Sequence, residues 1–412
     1  MKKTHSFYSV VILFCIGHLE AIVGFGNKDE ACQYVLCEGE DCPREEEICP
    51  HKLKMNATKD ITPLTINWPI TASKVDLKRC EIGNYSQRRL KSIECSIGNT
   101  LISCDKPLPP GTFVTYKCPD MYNPAGILPM CQKNGNWSEP ILCIPECGLT
   151  YPERAEPLIL HGSRVQRGQW PWAAAIFVRK SDNTWKFQCG ATLVSDNVVI
   201  TAAHCVWRKQ VKNMFIVLGH LPRKLPKVNR RDLIYRVTRI YLLPVYRHKT
   251  NKYNSNIALL VLKNQVILTK NILPACLPDN YTVVHPYIMS IVSGWGLNEN
   301  QEISQGLNYI KVPIIDVMRC FKNIDQELEQ YISYTTFCAG YINGTTVCNE
   351  DGGGGLLTQH DGKWVLQGVL SRFSRPCQHG SYSVYTKVML YTYWIKLIVD
   401  FENSKALTIR KT

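Results

Sequence analysis

Nineteen cysteines among 412 residues constrain this chain more than any other feature. Cys15 falls in an N-terminal stretch where Lys2 and Lys3 precede an apolar run from Val10 to Gly17. That run is too short to cross a bilayer and reads as a secretory signal, with cleavage between Ala21 and Gly26 and residues 1–24 assigned to the signal. Nineteen cysteines less Cys15 leaves eighteen, enough for nine bridges, which fits an oxidising compartment. No later stretch is long and apolar enough for a transmembrane helix, so a soluble, secreted, extracellular protein is expected. Asn-x-Ser/Thr sequons at Asn56, Asn84, Asn136, Asn280 and Asn343 suit that route and mark surface loops for glycosylation.

The formal net charge of +14 is unevenly spread. Arg208 to Lys252 holds thirteen Lys/Arg against one acid, Asp232. Such a stretch can attract glycans or other polyanions, or can simply be a set of solvated loops; nucleic acid does not suit a secreted chain.

Residues 25–60 carry Cys32, Cys37, Cys42 and Cys49 among Glu38, Glu40, Asp41 and Glu45 to Glu47. So short a segment cannot bury a core and must be held by bridges. It resembles the second half of an LDL-receptor class A repeat, with two of six cysteines missing and the acidic spacing one residue short. Clustered carboxylates are ligands for calcium, but the preferred reading is an acidic knot with no metal and no cofactor. Residues 61–79 form a linker with Pro63 and Pro69. Residues 80–146 contain Pro109-Pro110-Gly111, the alternating Phe113-Val114-Thr115-Tyr116, Cys118, Cys131, Gly135-Asn136-Trp137-Ser138 and Cys143. This segment resembles a sushi (complement control) module, with Trp137 as the main apolar anchor of a very small core. The resemblance pairs Cys118 with Cys143. Cys80, Cys95, Cys104 and Cys131 allow three connectivities.

After a pro-segment linker, 147–158, the pattern changes. Short runs such as Val198-Val199-Ile200-Thr201, Phe215-Ile216-Val217-Leu218 and Lys363-Trp364-Val365-Leu366 alternate with Gly, Pro and Asn turns, an all-β pattern. Val388 to Phe401, with Leu390, Tyr393, Trp394, Leu397 and Ile398 at helical spacing, predicts a terminal amphipathic helix. Across 159–412, Gln169-Trp170-Pro171-Trp172, Thr201-Ala202-Ala203-His204-Cys205, Asn256-Ile257-Ala258-Leu259-Leu260, Pro274-Ala275-Cys276-Leu277-Pro278 and Gly294-Trp295-Gly296 occur in an order that resembles the trypsin-like serine proteases. The resemblance implies two six-stranded antiparallel β-barrels with a C-terminal helix, preceded by the small disulfide-rich modules.

It also implies where chemistry should sit. Serine proteolysis needs a hydroxyl nucleophile, a histidine base, a carboxylate that orients the base, and donors for the oxyanion. His204 stands at the base position. Asn256 occupies the carboxylate position, and Gly352, in Cys348-Asn349-Glu350-Asp351-Gly352-Gly353-Gly354, occupies that of the nucleophile. An amide stabilises the wrong imidazole tautomer, a loss of about ten-thousandfold in an active serine protease. Losing the nucleophile costs about a millionfold in another, and the two losses do not add. No serine, threonine or cysteine lies within two residues of Gly352; Thr358 is six residues on.

Around this triad, Glu350 replaces a glycine of the oxyanion hole, where a carboxylate repels developing negative charge. Arg372 and Phe373 after Ser371 replace the Trp-Gly of the specificity wall, Ser383 replaces a pocket glycine, and Thr346 stands at the pocket floor. The expectation is a filled cleft, weighed against an altered pocket that still binds chain. The resemblance pairs Cys189 with Cys205, Cys320 with Cys338, Cys348 with Cys377, and Cys147 with Cys276. One family bridge is missing at both ends, where Ser290 and Thr358 stand. It places an activation cut at Leu158-Ile159, with Asp351 as partner of the amine freed on Ile159; the alternative is that Asp351 is a relic paired with another donor.

A sushi-like module before such a domain resembles the modular serine proteases of arthropod haemolymph, which serve innate-immune cascades. The reading is a catalytically dead homologue acting as regulator, cofactor or decoy, its partners being other extracellular proteases or their substrates. A glycan-recognition protein and an active endopeptidase are the alternatives.

Overall fold

The alternating apolar and turn residues resolve into eighteen strands among the described residues. The computed structural model describes residues 78–83, 90–152, 163–219, 233–246, 255–279, 285–296, 304, 306–342, 352–373 and 381–409. All fall within the second of two compact units, Met1–Lys74 and Val75–Thr412. No helix among them is long and apolar enough to cross a membrane.

The unit begins with a small β-structure. Strand β1 (Ser92–Ile97) lies between β2 (Thr100–Ile102) and β3 (Phe113–Lys117), and β4 (Tyr122–Pro124) pairs with β5 (Cys143–Pro145). Period-two alternation in β3 buries Val114 and exposes Thr115. Val114 joins Ile82, Cys95, Leu108 and Ile141 in a five-residue core. Trp137 packs against that core only partly buried, its indole N–H donating to the Glu81 carbonyl at 3.1 Å. Aliphatic residues therefore form the centre that the sequence reading assigned to Trp137, and the indole closes the rim. So small a core needs staples, and the bridges are Cys80–Cys131, Cys95–Cys104 and Cys118–Cys143. This resolves the three-way choice left open by the spacing.

The first barrel is closed by six strands, β7 (Ala173–Arg179), β8 (Trp185–Leu193), β9 (Val198–Thr201), β10 (Met214–Leu218), β11 (Ile234–Leu242) and β12 (Ala258–Leu262). Strands β9, β10 and β12 are buried at every position, as expected where interior and packed exterior both exclude water. The second sheet runs β13 (Met289–Gly294), β16 (Gly355–His360), β17 (Lys363–Arg372), β18 (Ser383–Lys387), β15 (Thr336–Ala339), β14 (Asn308–Ile315), and a β13–β14 pairing closes it into a second six-stranded barrel. The two-residue β6 (Ser163–Arg164) adds to the outside of β14. The all-β double-barrel architecture expected from the sequence is the one observed.

The small β-structure is fastened to the double barrel by Cys147–Cys276, whose Cys276 runs beside Val365 of β17, and by the Tyr122 hydroxyl, which reaches Asp196 Oδ2 at 3.4 Å. Short helices α1 (Ala203–Val206), α2 (Val317–Asn323) and α3 (Gln326–Glu329) decorate loops. Asp316 and Asp325 cap the last two by accepting backbone N–H bonds.

The terminal helix α4 (Thr392–Ile409) starts four residues later than the predicted Val388, after a 3₁₀ turn at Met389–Tyr391. Its buried face is Ile395 and Ile398 together with Glu402, whereas Tyr393 and Leu397 are exposed, at 81% and 55%. The expected apolar face thus divides. Glu402 turns inward because Arg239 Nη1 and the Tyr241 hydroxyl of β11 both donate to its carboxylate.

Candidate functional site

The β9–β12 ladder sets the first two site residues beside each other. Ala258 lies opposite Thr201 in that ladder. His204 follows Thr201 by three residues in α1, and Asn256 precedes Ala258 by two, so both leave the same end of the barrel. Ser255 holds a left-handed φ of 55° that β-carbon residues seldom adopt. The Tyr391 hydroxyl donates to its Oγ at 2.9 Å, which fixes the approach to Asn256. Burial holds the Tyr391 hydroxyl above its ordinary pKa of 10.0, with bonds to Ser255 and Thr335 pulling the other way.

Asn256 is fully buried, and its partners fix which way its amide points. The backbone N–H of His204 can only donate, and it meets Oδ1 at 3.0 Å. The amide nitrogen therefore faces the other way. It donates to Ser371 Oγ at 2.7 Å and stands 2.9 Å from Nδ1 of His204. Oδ1 lies farther from Nδ1, at 3.3 Å, so the shorter amide N–H contact favours Nδ1 as the acceptor and a neutral ring protonated on Nε2. A carboxylate in the same place would accept from Nδ1 and leave Nε2 free to take a proton. Ser371, at the end of β17, is a site residue that sequence reading treated only as wall. Its signal was the unchanged serine before Arg372 and Phe373.

Gly352 comes to the same point from the second barrel. Its carbonyl accepts the Gly190 N–H of β8 at 3.0 Å, and the Gly353 N–H bonds the Leu370 carbonyl at 2.9 Å. A β-carbon built on Gly352 would lie 3.3 Å from His204 Nε2 and 3.9 Å from Cys189 Sγ. The position thus faces the ring nitrogen and offers it no side-chain atom. Gly353 has φ +81°, and a β-carbon there would collide with Thr201 Oγ1 and the Gly190 carbonyl, so only glycine fits. Thr358, the hydroxyl next along the chain, is buried in β16 and accepts from Gln367 Nε2 at 3.0 Å.

The wall residues diverge from this centre. Arg372 lays its guanidinium 5.3 Å from the Tyr331 ring centroid, and its Nη1 donates to the Ser371 carbonyl at 3.3 Å. Phe373 is half-buried against the second-barrel core of Val292, Phe337 and Tyr385. Ser383 is buried in β18 opposite Ala339 of β15. Cys189–Cys205 and Cys320–Cys338 are bonded. Cys189, Cys205 and His204 cluster as metal ligands would, but the two sulfurs are spent on each other and no thiolate remains. Asn136 is exposed on its turn. Leu158, Ile159, Thr346, Glu350, Asp351, the Cys348–Cys377 pair and the other four sequons lie outside the described residues.

Comparison with known proteins agrees with this geometry. The family model for Trypsin matches residues 159–395. Clotting factor C of Tachypleus tridentatus is 32% identical over 289 residues, covering 65% of this chain and 28% of that protein. The complement C1r subcomponent-like protein of Mus musculus is 32% identical over 273 residues, 63% of this chain and 53% of its own length. Vitamin K-dependent protein C of Oryctolagus cuniculus is 30% identical over 254 residues, 59% and 52%. The chain thus spans between about a quarter and a half of these relatives. From the double barrel, the convergence of His204, Asn256, Ser371 and Gly352, and the match over 159–395, the chain belongs to the trypsin family.

Proposed function

We propose that this chain is a secreted, non-catalytic trypsin homologue that regulates an extracellular proteolytic cascade by binding. One observation carries the reading: the position where a β-carbon would lie 3.3 Å from His204 Nε2 is Gly352, which has no oxygen to attack a carbonyl. The tautomer argument supports it independently. With the Asn256 amide against Nδ1, Nε2 is a donor, and a hydroxyl placed beside it would find no base. Loss of the nucleophile alone is worth about a millionfold in turnover.

The relatives supply the setting. Proteins named for clotting and complement share about a third of their residues with this chain over the aligned region, which supports other proteases of a cascade, or their substrates, as partners. Residues 25–60 and the sushi-like 80–146 would provide docking, and a cut at Leu158-Ile159, with Asp351 receiving the new amine, would switch the loops without any catalysis. A folded barrel pair with an empty nucleophile seat can occupy a partner protease's surface as decoy or cofactor.

The test is covalent labelling. The purified chain, intact and cut after Leu158, is treated with a serine-directed phosphonate and then offered an unbiased peptide library. No adduct and no turnover are expected. An adduct mapped to the cleft, or turnover that survives Gly352→Ala, would establish an active endopeptidase instead.

A further inference from the structure

We propose that the groove between the Arg208–Asn213 turn and strand β11 is a binding site for a sulfated polysaccharide. The groove has a volume of about 620 Å³, within the range of ordinary ligand sites. Lys209 and Lys212 stand on one wall and Arg239 on the other, and every charged residue lining it is a cation. Both lysines are exposed, so their ammonium groups are available to a ligand.

Two irregularities of backbone build the site. Arg208, next in sequence to the lining residue Lys209, holds a φ of 56°, a conformation glycine adopts freely and arginine only at a cost. Its guanidinium lies 5.8 Å from the Trp207 ring centroid. Across the groove, the β11–β12 register shifts between Val237 and Arg239, and this bulge leaves Thr238 and Arg239 both exposed where a regular strand would turn one inward. The buried carboxylate of Glu402 pairs with Arg239 from behind and draws part of its charge away from the groove.

The lining selects the class of anion. Gln210 and Thr238 put neutral hydrogen-bonding groups among the cations, which suit sugar hydroxyls. Val211 and Ile240 add apolar surface for the C–H faces of sugar rings. An acidic peptide would gain most by adding a strand, and β11 offers it no edge, being paired on both sides by β10 and β12 in a closed barrel. The inference rests on the extracellular placement proposed above and is independent of whether the cleft is catalytic.

A heparin-derived hexasaccharide is titrated calorimetrically into the full-length protein. Two charge-matched variants are compared: Lys209→Glu/Lys212→Glu in the groove, and Lys106→Glu/Lys133→Glu, which are exposed on the small β-structure. Near-ultraviolet circular dichroism checks that both fold. The groove pair should weaken binding roughly tenfold or more, and the control pair by less than about twofold. Equal weakening in both, or none in the groove variant, overturns the site. Competition by phosphatidylserine vesicles or poly-glutamate as strong as by the hexasaccharide overturns the ligand class. Phosphonate labelling of the same sample tests the cleft separately, so either reading can fail alone.

Discussion

Asn256 meets His204 through both the backbone and the ring: Oδ1 accepts the His204 N–H at 3.0 Å, and Nδ1 lies closer to Nδ2, at 2.9 Å, than to Oδ1, at 3.3 Å. The backbone bond determines the amide's orientation, and the orientation determines the tautomer. A serine restored at 352 alone should therefore remain nearly inert. Its β-carbon, 3.3 Å from Nε2, demands a shift of only a few tenths of an ångström from the ring. Gly352→Ser/Asn256→Asp should react with a serine-directed phosphonate about a thousand to ten thousand times faster than Gly352→Ser. Equal rates in the two variants would remove the tautomer from the account.

The second barrel offers a test of its missing bridge. Ile291 lies opposite Leu357, and one step along the same antiparallel register puts Ser290 opposite Thr358. Antiparallel partners stand about 4.5–5.5 Å apart, within disulfide range. Both hydroxyls are buried, Ser290 donating to the Val312 carbonyl at 2.7 Å. The variant Ser290→Cys/Thr358→Cys should oxidise spontaneously and gain about 2–4 kcal/mol in urea unfolding over its reduced form. A persistent free-thiol titre in the folded protein would show the register to be wrong.

Alkaline stability tests the packing behind Asn256. Burial raises the Tyr391 hydroxyl above 10.0, and it raises Tyr241 as well, with the hydrogen bond and charge of Glu402 adding to it. An unfolded tyrosine ionises first, so this stability is complete below pH 10.0 and drains away as pH climbs from there through the raised folded values. Burial lowers Lys387, which acts in the opposite sense over the same region. Tyr391→Phe should cost about 0.5–1.5 kcal/mol near neutrality, from the lost bond to Ser255, and should lessen the decline that begins near pH 10.0 and continues above it. Urea midpoints across that range decide it; an unchanged alkaline slope would exclude Tyr391 from the titration.

These sites differ in how visible they were beforehand. His204, Asn256 and Gly352 could be brought together from sequence because the motif around each resembles that of the trypsin-like serine proteases, in the same order along the chain. The resemblance also gave Cys118–Cys143, but not the pairing of Cys80, Cys95, Cys104 and Cys131, since spacing alone does not say that Cys95 closes onto Cys104 across a hairpin. Periodicity also misjudged helix α4. Tyr393 and Leu397 keep helical spacing yet face water, because which stripe is buried depends on what lies across from it. The inward Glu402 depends on Arg239, 163 residues away, and nothing local to either residue signals the other. Trp137 was misplaced for a similar reason: a large ring in a five-residue core fits only at its edge.

That Arg239–Glu402 contact links stability to the groove in opposite directions. Glu402 is 5% exposed and Arg239 44%, so removing the carboxylate strands little charge: the guanidinium can turn to water, while the helix loses its tie to β11. Glu402→Gln keeps the shape and deletes the charge. It should destabilise the fold by about 1–2 kcal/mol, read from the urea midpoint. The same substitution removes the negative charge behind the groove wall and releases Arg239 toward any anion bound there. Hexasaccharide affinity should then rise by about two- to fivefold at low ionic strength, and the gain should shrink as salt is raised. A variant that loses stability and binds the sugar more weakly would mean that Glu402 serves the groove by positioning Arg239 rather than by competing for it.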